Sequence, residues 1–226
     1  MKATLRAAGL IALKDLRIEA RTGEIVTSTT MFAVLVTVLA SLSFYLDAQT
    51  ARRMAPGVLW IAIAFAGVLA MGRSWARERE NDVMRGLLMS PIPRASIYLG
   101  KSVGTLAFML AVEVVLLPLV AVLFHLDLAP VLGPLAILLV LGTLGFVAAG
   151  TLFASMSVRT SARDLVLSVV LFPLIAPALL ASVVATRQLL GGAPLAEVLD
   201  WARILGAFDI IFIMAGLVLF GPLTSD

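Results

Sequence analysis

The sequence predicts an all-α membrane protein with six transmembrane helices. Three observations carry that prediction. Hydrophobic residues make up 61% of the chain's 226 residues, against roughly 45–50% in an ordinary soluble domain. Mean hydropathy is +1.08, and six separate apolar stretches reach the ~20 residues that a helix needs to cross a bilayer. The lysines and arginines gather in alternate connections between those stretches. Residues 1–24 precede the first stretch and residues 25–226 contain all six, so the chain reads as an interfacial segment followed by one membrane domain.

The N-terminal segment is amphipathic. As a helix it sets Leu5, Gly9, Ala12, Leu13 and Leu16 on one stripe, with Arg6, Lys14, Arg17 and Arg21 beside it. That pattern suits a helix lying at an anionic membrane surface. Lys14 and Asp15 interrupt the apolar run after AAGLIAL, and no small-residue cleavage site follows, so a cleavable signal peptide is not expected.

The six predicted spans are Ile25–Leu46, Met54–Gly72, Ser102–Phe124, Val131–Met156, Leu165–Thr186 and Ile204–Leu223. Spans four and five carry many small residues and prolines, among them Gly142, Gly145, Pro173 and Pro177, which favour close packing and local kinks. The connection from Arg187 to Arg203 is broken by Gly191-Gly192 and Pro194, and LAEVLDWAR within it predicts a short amphipathic turn. With both termini in the cytosol, thirteen of the seventeen basic residues fall on the cytosolic side. Arg52, Arg53, Arg187 and Arg203 fall outside. The asymmetry follows the positive-inside rule at every span.

The longest polar run, Gly72 to Lys101, falls between spans two and three on the cytosolic side. It reads as an amphipathic segment with Val83, Met84, Leu87 and Leu88 along one side, stopped by Ser90-Pro-Ile-Pro93. Pro91 and Pro93 each remove a backbone donor and disfavour helix in the preceding residue. Such a segment either transmits force to a soluble partner or serves as a solvated loop that sets topology.

Much chemistry is excluded. There is no cysteine, so disulfides and thiolate sites are impossible, and one histidine cannot build a multi-histidine metal centre. Gly100-Lys101-Ser102 lacks the first glycine and the strand-to-helix context of a phosphate-binding loop, because position 95 is alanine. No catalytic triad or zinc-protease motif is present, and an enzyme is not expected. Three ionisable residues remain as candidates. Glu113 sits mid-way along span three, where a carboxylate is costly unless protonated or paired; it is either functional or hydrogen-bonded at a helix contact. Asp209 in the outer part of span six is expected to pair with Arg203. His125 ends span three, as either a haem ligand or an interfacial residue with an ordinary hydrogen bond.

Several motifs resemble the cytochrome c maturation protein B (CcmB) family of haem-exporter ABC permeases. They are APGVLWIA at 55–62, P-I-P at 91–93 with Lys101 eight residues on, LGTLGF at 141–146 and LFPLIAPALLAS at 171–182. The resemblance covers about residues 15 to 220. The family pattern places an Asp-Gly pair about ten residues before the prolines, whereas this chain has Asn81-Asp82.

The resemblance implies an exporter-type (ABC-2-like) fold with a cytosolic coupling helix. Glu80, Val83, Met84, Leu87, Leu88, Pro91 and Pro93 would then meet a CcmA-like ATPase. It also implies a CcmC-like haem-handling subunit, a CcmD-like single-span subunit, a CcmE-like periplasmic haem chaperone and a homodimer within the complex. The place is the bacterial inner membrane. No cofactor is expected to bind directly: ATP acts through the partner, haem is a possible cargo, and nucleic acid plays no part. An exporter of another substrate and a non-transporting membrane scaffold are the alternatives.

Overall fold

The computed structural model describes residues 2–44, 47–80, 83–156 and 163–225. Every regular element among them is helical: α1 (Lys2–Thr22), α2 (Glu24–Ser43), α3 (Ala48–Glu80), α4 (Val83–Met89), α5 (Arg94–Leu123), α6 (Leu132–Met156), α7 (Arg163–Leu190) and α8 (Leu195–Ser225). A single 3₁₀ turn, Ala129–Val131, leads into α6. Among the described residues six helices are long and apolar enough to cross a membrane, and the chain is a multi-pass membrane protein. Their order follows the predicted spans.

Three features differ from the sequence reading, each for a physical reason. Gly72–Lys101 is not one polar connection. α3 runs on to Glu80 and α5 begins at Arg94, which leaves only the short α4 between them. The helices outlast their apolar windows because α1 packs across these turns and supplies opposite charges, described below. At the other end of the bundle, LAEVLDWAR is not a separate turn. It forms the first turns of α8, and the connection shrinks to Gly191–Pro194. Gly192 takes a positive φ of 77° there, a conformation that glycine adopts without steric cost.

The third correction concerns α1. Its buried face is Ala8, Ile11, Ala12, Asp15 and Glu19, while Leu5, Leu10 and Leu13 are exposed. Of the predicted stripe, Leu5, Gly9 and Leu13 therefore face outward, while Ala12 is buried and Leu16 packs partly against the core. The inner face is small and acidic because α1 lies against α5 at Gly100, where an added Cβ would meet Ile11 Cβ at 2.7 Å and the Ala8 carbonyl oxygen at 2.8 Å. Gly23, at φ 61°, then turns the chain from α1 into α2.

In the bundle, α6 packs against α5, α7 and α8. The sequence motifs meet at its small residues. A Cβ on Gly142 would lie 2.3 Å from the Trp60 ring and 2.6 Å from Ser182 Oγ. Trp60 is buried, and its Nε1–H donates to Thr186 Oγ1 at 2.9 Å. Nearby, α8 approaches α5 at Gly216, over which the Tyr98 ring lies. The Tyr98 hydroxyl sits 3.1 Å from the Ala148 carbonyl oxygen and 3.2 Å from that of Phe212. Small residues thus let the helices close in, and buried indole and phenol groups find partners, as close packing in a membrane demands.

Candidate functional site

Charged side chains collect where α1 crosses the end of α3 and the start of α5. Lys101 is fully buried, and its Nζ donates to Asp15 Oδ2 at 2.8 Å and Glu78 Oε1 at 2.5 Å. Lys14 approaches the same Glu78 oxygen at 2.7 Å and Asp15 at 3.0 Å. Asp15 and Glu78 are themselves buried. One turn further along, Arg77 lies 3.4 Å from Glu19 and 3.2 Å from Glu24. Glu19 also accepts a hydrogen bond from the Val26 amide at 2.8 Å, which satisfies a free donor at the start of α2. Two neighbouring groups of ion pairs therefore tie four helices together.

The cluster shifts Lys14. Burial is the largest single influence and pulls its pKa down. The hydrogen bond to Glu78 and the charges of Asp15 and Glu78 together outweigh burial, so the net pKa is raised above 10.5. The sequence marks Lys101 through a rejected phosphate-loop motif and its spacing from Pro93, and Asp15 as a break in an apolar run, but it gives neither these two nor Glu19 and Glu78 a role in an ionic cluster. The signal was present: residues 8, 11, 12, 15 and 19 share one helix face, so two acids continue an apolar stripe.

The two intramembrane carboxylates both meet α6. Glu113 is buried, and Thr143 donates its hydroxyl to Glu113 Oε1. The geometry is thus a hydrogen-bonded helix contact. Asp209 does not pair with Arg203. Arg203 reaches Asp200 instead, at 2.7 Å, because residues three apart share a helix face and residues six apart do not. Asp209 is buried, neither of its oxygens has a partner among the described residues, and Oδ1 would lie 2.4 Å from a Cβ on Gly145.

α4 carries the candidate contact residues. Leu87 and Leu88 are half-buried and pack partly against the chain's own core, and Val83 is half-buried. Met89, which was not singled out, is the most exposed apolar side chain there among the described residues, at 79%. Pro91 and Pro93 are exposed, and Pro93 directly precedes α5. The side chains of Glu80 and Met84 and the pair Asn81-Asp82 lie outside the described residues.

His125 stands at the opposite end of the bundle. It takes a positive φ of 52° just past α5, while the Leu126 amide bonds back to the Ala121 carbonyl at 2.9 Å. That is a Schellman-type stop in which histidine occupies the usual glycine position. His125 borders a cleft of about 460 Å³, together with Arg52, Arg53 and Arg187.

The family described as CcmB protein matches residues 6–220. The chain belongs to the CcmB family. Its relatives include the heme exporter protein B of Bradyrhizobium diazoefficiens, 26% identical over 191 residues, which covers 83% of this chain and 84% of that protein. The protein of the same name from Rhodobacter capsulatus is 29% identical over 167 residues, covering 74% and 76% of the two chains. That of Pseudomonas aeruginosa is 26% identical over 190 residues and 84% of each. The CcmB match reaches from the charged face of α1 almost to the end of α8, so the α1 cluster lies within the matched region.

Proposed function

We propose that this chain is the membrane permease subunit of an ATP-driven complex that handles haem for c-type cytochrome biogenesis. The observation that carries the reading is the CcmB match across all six spans, with relatives named heme exporter protein B. The chain itself supplies no catalytic chemistry in this reading, and a separate ATPase subunit provides hydrolysis. The charge asymmetry supports a bacterial cytoplasmic membrane setting with both termini inside. The ionic cluster then faces the cytosol, and the His125 cleft faces outward.

In this reading α4 is the coupling element. It projects between two spanning helices, and its half-buried Leu87 and Leu88 link an exposed edge, Met89, to the core. A nucleotide-driven push on α4 passes through Pro91 and Pro93 into α5, and through the Lys101 cluster into α1 and α3. The output is release of a haem-loaded periplasmic chaperone, in concert with a haem-handling membrane subunit, a small single-span subunit and a second copy of the permease.

Co-purification with the ATPase tests this. Met89→Asp places a charge on the exposed edge, where an anchor truncation typically costs about 2 kcal/mol or more of binding. The variant is expected to insert normally, lose the ATPase and stop cytochrome c maturation. Leu87→Asp should do the same. If both variants retain the ATPase at the wild-type level, α4 is only a connection. If the wild-type chain never co-purifies with an ATPase, the permease reading itself falls.

A further inference from the structure

The outward cleft has a composition that none of the contacts above explains. Arg52 and Arg53 come from the first turns of α3, and Arg187 from the last turn of α7. His125 adds a fourth basic group, against Asp127 as the only acid among the described residues lining the cleft. Arg52 and Arg187 make no ion pair among the described residues. Arg53 acts on Asp47, whose pKa is lowered chiefly by its hydrogen bonds with Thr50 and Gln49, and least by Arg53. Like charges brought to one concave site repel unless an anion joins them, and a concave site focuses their field. The remaining walls are apolar: Pro56, Leu126 and Leu190. These three also border a tightly packed apolar region that includes Leu59, Leu117 and Leu135.

We propose that this cleft binds an amphiphilic anion, with its acidic groups on the Arg52 and Arg187 guanidiniums and its apolar body against Pro56, Leu126 and Leu190. Guanidinium forks match carboxylate and phosphate oxygens, and the match is strongest where apolar walls thin the water. Haem, with two carboxylates on one edge of an apolar ring, and an anionic phospholipid share this chemistry. The haem source rests on the haem-handling function proposed above; the binding chemistry does not. His125 also lines the cleft, so its imidazole borders the same space.

The test uses the full chain in nanodiscs of zwitterionic lipid. Haem, haem dimethyl ester and a short-chain phosphatidylglycerol are titrated against wild type and the double variant Arg52→Gln/Arg187→Gln. At least one acidic probe should bind wild type about tenfold or more tightly than the double variant, the loss expected for removed charge-assisted hydrogen bonds. If that probe is haem, the dimethyl ester must lose the preference; if only phosphatidylglycerol shows it, the occupant is lipid. Arg52→Lys/Arg187→Lys keeps both charges and should retain most of the binding. The ester comparison on wild type alone needs no variant to fold. The proposal is overturned if neither acidic probe distinguishes wild type from the double variant, or if the ester binds wild type as tightly as haem does and phosphatidylglycerol shows no preference. Either failure leaves the ATPase co-purification result untouched.

Discussion

Lys101 shows how much a single buried charge can hold. Its ammonium is the shared partner of Asp15 and Glu78, and both carboxylates are shut away from water. Removing one member of a buried ion pair strands the other, at a cost of about 3–5 kcal/mol. Lys101→Met should therefore lower the melting temperature of the purified chain sharply. Asp15→Asn should cost less, because Lys14 and Lys101 still share Glu78. Lys14 adds a pH signature. A raised folded pKa gives stability that is complete below 10.5 and is lost as pH rises through the folded value. Wild type should lose stability on that alkaline limb, and Lys14→Met should flatten it. His125 makes the opposite case. Because it sits in a left-handed helix stop, His125→Gly should leave thermal stability unchanged or slightly raised. None of these roles could be read from residue type alone. A lysine near a span end looks like topology until the acidic face of α1 is laid against it.

At the level of the helices, glycine decides which surfaces touch. Gly100→Ala would drive a methyl into the backbone carbonyl of Ala8 and the Cβ of Ile11, neither of which can swing aside. Gly104, one turn on, has 3.5 Å of room to Asp15 Cβ. The first substitution should loosen α1 from α5 and the second should be tolerated. Limited proteolysis at the α1–α2 junction would show the difference. The existence and order of the six spans were legible because continuous apolar runs of spanning length have few other uses. Their ends were not. α3, α5 and α8 each extend past their apolar windows into charged or amphipathic sequence, and what keeps those turns helical is tertiary contact, which hydropathy does not encode.

For the whole molecule, charge distribution is the most readable feature. Reporter fusions should report the cytosol after Asp226 and near Asn81, and the exterior near Gly191; a cytosolic signal at Gly191 would refute the six-span arrangement. The family motifs were legible for a related reason. APGVLWIA, LGTLGF and LFPLIAPALLAS are distant in sequence, yet they share the packing point of Trp60, Gly142 and Ser182. Their residue types are fixed by one another's shapes. The His125 cleft was less legible. Its arginines come from α3 and α7, and each looked like an ordinary flanking charge until the bundle brought them together.

The α1 cluster also constrains the order of assembly. Asp15 leaves the ribosome 86 residues before Lys101, its partner. At about 5–20 residues per second that interval is on the order of ten seconds. Throughout it, α1 has no α5 to lie on, and its acids have no buried lysine to meet. The exposed Leu5, Leu10 and Leu13 give it a place to wait, adsorbed on the bilayer surface beside its own basic residues. α1 is thus made before α5 but seated only after it, and the cluster closes only once the third span has arrived. A nascent chain arrested before residue 101 should expose the α1–α2 junction to protease, whereas one arrested after span three should protect it.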